Sequence, residues 1–395
     1  MDKWWPTDFQ PLAGRVVHFD HLTFWVGNAK QAAEWYCVNM GFVPVAYRGL
    51  ETGDRDVASH VVRQEDIVFV FQSNLRPQRN ERSEHLVQHG DGIKDIAFHV
   101  EDLDAIVEKA KAEGGVVVRD VWTEEDEGGR VRFATIQTFG DTVHTLVERG
   151  AYKGLFLPGY VAHDHTTELL DTLPDVGLLY IDHVVGNQPD KRMTPVSQWY
   201  QKVLQFHRFW SADDKVVHTE YSALRAMTMA NYEETIRIPV IEPASDRRAV
   251  SQTQEFVDFY GGAGSQHAAL ITDDIVATVV GMRARGCDFL SIPDAYYDDL
   301  RKRLASAPIQ VTEDVDKLQE QRILLDFDDK GYLLQIFTKT CTDRPTFFVE
   351  ILQRRNHQGF GAGNFKALFG LLESQQEKRG TLFKEESPLT NGANW

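Results

Sequence analysis

The chain has 395 residues, ample apolar and aromatic content and a formal net charge of −17. That length predicts two domains of ordinary size rather than one small core. The acidic balance excludes a binder of nucleic acid or anionic membrane, which needs clustered Lys and Arg. No run of about 18 apolar residues is present, so no membrane span is expected. The opening MDKWWPTDFQP has no basic segment followed by an apolar one, so neither a secretory signal nor a transit peptide is expected. Cys37, Cys287 and Cys341 are odd in number and unclustered. They read as free thiols in a reducing compartment, with the cytoplasm as the default.

The first predicted strand is Val16 to Val26, followed by a helix through QAAEWYCVNMGF with Ala32, Tyr36 and Met40 at helical spacing. The same frame returns at LLYIDHVVGN, Leu178 to Asn187, and in MTPVSQWYQKVLQF, where Val196, Tyr200, Val203 and Leu204 mark the apolar stripe. Asp-His and then Trp-Tyr occur in both copies. The repeat continues. Asp91 to Gly115 parallels Ala263 to Cys287, with Leu103, Val107 and Ala110 matching Ile275, Val279 and Met282. Arg130 to Arg149 parallels the stretch from Lys330 to Ile351. Self-similarity of this kind defines the architecture: each half holds two strand-helix-strand modules, and the chain is a duplicated duplication. The halves meet near Leu155 to Gly177, where Pro and Gly interrupt any period. His163 and His165 in that stretch read as part of a solvated linker, since no fixed spacing organises them for a metal.

The stretch Gly331 to Phe365 reads as two strands joined by a short turn, then a glycine-rich loop entering a helix. Gln335 and Phe337 share one strand face. Phe348, Glu350 and Leu352 share one face of the next, because side chains alternate across a strand. A carboxylate flanked by Phe and Leu needs a cation, a proton or water. Overlaying the halves places His21 on His183, Asp95 on His267 and Glu148 on Glu350. His183, His267 and Glu350 form the two-His, one-carboxylate set used by non-haem Fe(II) oxygenases, which leaves positions open for substrate and O2. The competing reading of each alone is a core histidine or a solvated glutamate. For His21, Asp95 and Glu148 the expectation is a hydrogen-bonding relic, with a second metal site as the alternative.

The motifs IDHVVGN, EYSALR, ANYEETIRIP, GGAGSQHAAL, GYLLQIFTK, DRPTFFVEILQR and NHQGFGAGNFKALF together resemble the 4-hydroxyphenylpyruvate dioxygenases of the vicinal-oxygen-chelate superfamily, with an animal-type length and tail. The resemblance spans roughly Val17 to Gly380. It implies an α+β fold of tandem βαβββ modules, glyoxalase-like, in two pseudo-repeat open-barrel domains with a C-terminal gating helix. The implied division is 1–160 as an N-terminal scaffold and dimer-interface domain, 161–380 as the catalytic domain with that helix, and 381–395 as a flexible tail. It implies Fe(II) on His183, His267 and Glu350, and conversion of 4-hydroxyphenylpyruvate and O2 to homogentisate and CO2 in tyrosine breakdown, by a homodimer. Hydroxymandelate synthesis from the same substrate, extradiol cleavage of catechols and non-catalytic binding are the alternatives. Gln254, Gln266, Gln335 and Ser222 match polar pocket positions, with Gln254 toward the ring end. Phe337, Phe348, Phe360 and Phe365 match aromatics lining the site. Asn364 occupies a predicted N-cap, ahead of a gate helix with Leu368, Leu371 and Leu372 on one face and Gly359, Gly361 and Gly363 as its hinge. One position departs from the pattern: Ile241 stands where the family usually has Asn.

Overall fold

The structure, a computed structural model, describes residues 11, 13–163, 168–212, 223–244 and 249–383. Two large sheets organise it, one per half. The first half begins with β1 (Arg15–Trp25), α1 (Ala29–Met40), β2 (Val43–Arg48), β3 (Val57–Gln64) and β4 (Ile67–Asn74). After α2 (Glu81–His89) comes a second unit of the same plan: β5 (Gly92–Glu101), α3 (Leu103–Ala112), β6 (Val117–Asp126), β7 (Gly129–Gln137) and β8 (Val143–Glu148). The connection between halves carries β9 (Val161–Ala162), which pairs with β2, and the short α4 (Glu168–Thr172). It is therefore partly structured rather than a plain linker. His163 donates its amide to the Val45 carbonyl at 3.3 Å, and His165 lies outside the described residues.

The second half repeats the plan with β10 (Leu178–Asn187), α5 (Met193–Val203), β11 (His207–Ala212), β12 (Leu224–Ala230) and β13 (Arg237–Pro243). Then follow α6 (Gln252–Tyr260), β14 (Gly264–Thr272), α7 (Ile275–Ala284), α8 (Asp294–Leu304), α9 (Val315–Gln321), β15 (Leu324–Phe327), β16 (Tyr332–Phe337), β17 (Phe348–Arg355) and α10 (Phe365–Arg379). The strand orders are β6-β7-β8-β5-β1-β4-β3-β2-β9 and β11-β12-β13-β10-β14-β17-β16-β15. In each sheet the first strands of two modules, β1 with β5 and β10 with β14, pair antiparallel at the centre. Each then pairs parallel with the last strand of its own module. The predicted module order is the observed one. The expected short turn between β16 and β17 is in fact a longer connection, residues 338–347.

Local chemistry sets the helices. Asn28 caps α1 by accepting from the Gln31 amide at 3.1 Å, and Gly41 ends it in the left-handed region at φ 77°. Tyr36 and Met40 are buried on its stripe as the spacing predicts, with Ala33 and Cys37 beside them, while Ala32 is half-buried. Asp274 caps α7 in the same way. One apolar cluster runs through both halves, from Phe24 and Phe98 to Tyr200 and Phe347. Specific bonds also cross between halves: Arg285 donates to the Cys37 and Val38 carbonyls, and His144 Nε2 lies 2.8 Å from the Tyr200 hydroxyl. Among the described residues no helix is long and apolar enough to cross a membrane.

Candidate metal centre

Three adjacent strands at the middle of the second sheet bring His183, His267 and Glu350 together. Register explains how. His183 on β10 pairs with Ala269 on β14, and Ala269 pairs with Glu350 on β17. His267 lies two residues before Ala269, so it shares that face. The small Ala269 side chain between the two outer ligands leaves the space that a larger residue would fill. His183 Nε2 is 3.3 Å and His267 Nε2 is 3.4 Å from the same oxygen, Oε2 of Glu350. All three residues offer ligand atoms within 4.8 Å of one another.

The protonation pattern prepares these atoms. His183 Nδ1 is 2.7 Å from Asp182 Oδ2, which places a proton on Nδ1 and leaves Nε2, the nitrogen facing Glu350, as the one a metal ion would take. His267 Nδ1 is 3.2 Å from Gln266 Oε1, with the same consequence. Burial would push the Glu350 carboxyl up, but the two imidazoles outweigh it and hold it down to about 2. Burial opposes the imidazolium of His183, yet its bonds to Asp182 and Glu350 raise its pKa; at His267 burial wins and the pKa falls. A buried anionic carboxylate facing two imidazole nitrogens is a seat for a divalent cation.

Outer partners fix this set, and sequence reasoning missed them. Arg354 clamps Asp182 with two bonds of 2.9 and 2.8 Å, and Arg237 adds a third at 3.1 Å. Burial alone would raise the Asp182 carboxyl; Arg354 and His183 hold it well below the usual carboxylate range. Arg354 also donates to the carbonyls of His357 and Gly359, tying the glycine-rich loop to the same carboxylate. The visible signal was the Asp-His dipeptide repeated in both halves.

A polar chain leads away from Glu350. Gln335 donates to Glu350 Oε1 at 3.2 Å, Asn364 donates to Gln335 Oε1 at 3.3 Å, and the Tyr296 hydroxyl donates to Asn364 Oδ1 at 2.7 Å. Asn364 thus holds the predicted N-cap position of α10 without capping it through its side chain. It sits in helical geometry and its side chain makes no capping bond, because the 3-10 turn Ala362–Asn364 already leads into α10. A Cβ on Gly361 would come within 1.8 Å of Gln335 Oε1, and φ is +75°, so only glycine fits there.

The four predicted aromatics all gather here. Phe348 stacks on His267 with ring centres 4.7 Å apart, Phe337 lies edge-on at 6.4 Å, and Phe360 is edge-on to His183 at 5.1 Å. Phe365 joins through Trp210, which also packs on Phe360. Of the glutamines, Gln266 and Gln335 are in place and Gln254 is not. Gln254 turns its amide to Asp258 on the outer side of α6. Gln252 takes the inner position, its Oε1 accepting from Gln266 Nε2 at 3.2 Å. Ser222 lies outside the described residues. Ile241 pairs with Ala226 and joins Val185, Leu224 and Phe369 in an apolar wall that Trp210, Phe365 and Leu372 extend.

The first sheet shows the duplicated plan without the ligand set. His21 pairs with Ala97 and Asp95 with Thr23, matching His183 with Ala269 and His267 with Val185. The overlay of Glu148 on Glu350 is corrected by the strand pairing. Asp95 pairs with Val143 as His267 pairs with Phe348, so the residue at Glu350's position is Thr145. Thr145 donates its amide to Asp95 at 2.8 Å. Glu148 instead accepts from the Leu103 amide at the start of α3, as Gln353 accepts from Ile275 at the start of α7. The Asp-His-Arg relay nevertheless persists: Asp20 holds His21 Nδ1 at 2.6 Å and is clamped by Arg149.

Comparison with known proteins agrees with this architecture. The chain matches the Glyoxalase/Bleomycin resistance protein/Dioxygenase superfamily over residues 18–148 and 180–336. It belongs to that superfamily. Curated relatives include the 4-hydroxyphenylpyruvate dioxygenase of Caenorhabditis briggsae, 59% identical over 95% of this chain and 96% of the relative. That of Xenopus tropicalis is 58% identical over 93% and 94%. A solved triple mutant of 4-hydroxymandelate synthase from Streptomyces coelicolor superposes with a TM-score of 0.80 at 28% identity, covering 92% of this chain and all of that one. Within the superfamily, the chain belongs to the 4-hydroxyphenylpyruvate dioxygenase family.

Proposed function

We propose that the chain is an Fe(II)-dependent dioxygenase that converts 4-hydroxyphenylpyruvate and O2 to homogentisate and CO2 in tyrosine catabolism. The observation that carries this is the convergence of two imidazole Nε2 atoms on one oxygen of Glu350. The set has the two-nitrogen, one-carboxylate chemistry suited to Fe(II), and His183, His267 and Glu350 would hold the ion. Bound there, Fe(II) supplies O2 activation and an electrophile for the 2-oxo acid. The protein's own residues do the rest. Asp182 keeps the proton on His183 Nδ1. Gln335 and Asn364 fix the Glu350 carboxylate and offer amides to polar substrate atoms. Phe337, Phe348, Phe360 and Phe365 exclude water and give an aryl ring flat surfaces to pack against.

The domain from 161 to 380 is read as catalytic, with the first half as scaffold and homodimer surface. Free Cys37, Cys287 and Cys341 support a cytoplasmic setting. The deciding experiment supplies purified protein with Fe(II), O2 and 4-hydroxyphenylpyruvate and identifies the products. Homogentisate and CO2 in step with O2 uptake are expected. Hydroxymandelate as main product, or O2 uptake with a catechol but not the keto acid, overturns the assignment.

A further inference from the structure

A second convergence of metal-type donors lies in the first half. His85 and His89 are four residues apart on α2 and so share one face, and Asp141 reaches them from the turn between β7 and β8. Their ligand atoms lie within 4.8 Å of one another. Both histidines are buried, whereas the Asp141 side chain is 34% exposed, which leaves one side open to solvent.

The protons decide what this cluster needs. His89 Nδ1 lies 2.6 Å from the Tyr260 carbonyl oxygen, which can only accept, so Nδ1 carries hydrogen. The Nε2 lone pair of a neutral ring then faces Asp141 Oδ2 at 3.4 Å. Two acceptors facing each other, one of them on a buried ring, are unfavourable unless a cation or a proton lies between them. The same separation divides His267 Nε2 from Glu350 Oε2. A backbone carbonyl holding the far nitrogen is also the usual outer support of a metal-bound imidazole. His85 Nδ1 is 2.6 Å from the same Asp141 oxygen and donates to it, a proton that a divalent ion would release to solvent on binding. His85 Nε2 and Asp141 Oδ1 are buried without a hydrogen-bond partner, so the carboxylate has a second oxygen to offer. Lys94 stands 3.5 Å from Asp141 Oδ2, but its stronger bonds go to the Asp141 carbonyl at 2.6 Å and to Glu81 at 3.0 Å. Those partners hold its charge when Oδ2 turns to another cation.

We propose that His85, His89 and Asp141 form a second divalent-metal site of the zinc or cobalt(II) class, with its remaining position open to solvent. The rival occupant is a proton on His89, and metal stoichiometry separates the two. Metal-free full-length protein is equilibrated with Zn2+, dialysed and assayed for bound metal; Co2+ gives a parallel visible spectrum. Two ions per chain are expected in the wild type, one in His89→Gln, and one in the His183→Ala/Glu350→Ala double variant. Adding His89→Gln or Asp141→Asn to that double variant is expected to weaken the remaining ion at least 100-fold. Asp141→Asn, isosteric and part-exposed, serves where His89→Gln fails to fold. A wild type that takes up one ion, or a remaining ion that both substitutions leave unchanged, overturns the proposal.

Discussion

Glu350 shows how much a single side chain can decide. It is the lone anion among the three converging donors, and its second oxygen anchors Gln335. Glu350→Ala is expected to lower both metal affinity and turnover by more than about 100-fold, since outer partners alone are worth about 10–100-fold. Metal analysis and O2 uptake check this, and ordinary activity in the variant would refute it. Asp182→Asn tests those outer partners. It keeps the shape but loses the charge that fixes His183 and that Arg354 and Arg237 neutralise. A loss of about 10–100-fold in metal affinity is expected, with the fold retained by circular dichroism. At this scale the sequence made the three donors legible because strand alternation and the repeat point to them. Gln254 misled for a geometric reason: residues two apart on a helix face opposite ways, so Gln252 looks inward and Gln254 outward. Glu148 misled because it matches Glu350 in type, while strand pairing offsets the two copies by three residues.

At the scale of elements, α10 is held at both ends. Its start is fixed through Asn364 and Gln335, and its end through Arg379, which pairs with Glu255 of α6 at 2.8 Å, and Gln376, which donates to the Val250 carbonyl. The predicted stripe of Leu368, Leu371 and Leu372 packs on the core, Leu368 buried and the other two half-buried, and Phe369 is buried beside it. Glu255 is buried and Arg379 partly exposed, so the pair lies between the surface and interior cases. Glu255→Ala is expected to cost about 1–2 kcal/mol. Faster amide exchange across the last turns of α10 and a lowered kcat/KM would show it; unchanged exchange would mean that packing alone holds the helix. The strands and helices of the repeat were legible from periodicity. The docking of α10 was not, because it depends on bonds to α6, more than a hundred residues away in sequence.

For the whole molecule, the seam between halves carries a pH dependence. His144 is fully buried, its Nδ1 on the Ile96 carbonyl at 2.8 Å and its Nε2 on Tyr200 of the second half. Burial pushes its pKa down to about 4 from an ordinary value near 6.5. The unfolded chain therefore binds a proton between those values that the folded one refuses. The contribution of this group to stability is expected to be full above pH 6.5 and to fall as the pH drops toward 4, by roughly 3 kcal/mol. Thermal melts from pH 8 to pH 4 should show that decline, and His144→Gln should make it shallower without removing it, since burial also pushes His60 down to about 4. An equal slope in wild type and variant would place the titration elsewhere. The two-half division was readable from the repeat, whereas this seam was not, since no pattern in a chain marks which buried histidine meets a tyrosine of the other copy.

The relay of Asp20, His21 and Arg149 stands in a sheet whose other two matching positions are Asp95 and Thr145. Arg149, just past the end of β8, reaches over β5 to Asp20 on β1, so the clamp braces three strands of the first sheet. The first sheet consequently stands two substitutions, Asp95→His and Thr145→Glu, from the donor pattern of the second. Duplication has left this chain a spare chassis, already braced, on which a new centre could be installed without redesigning the barrel around it.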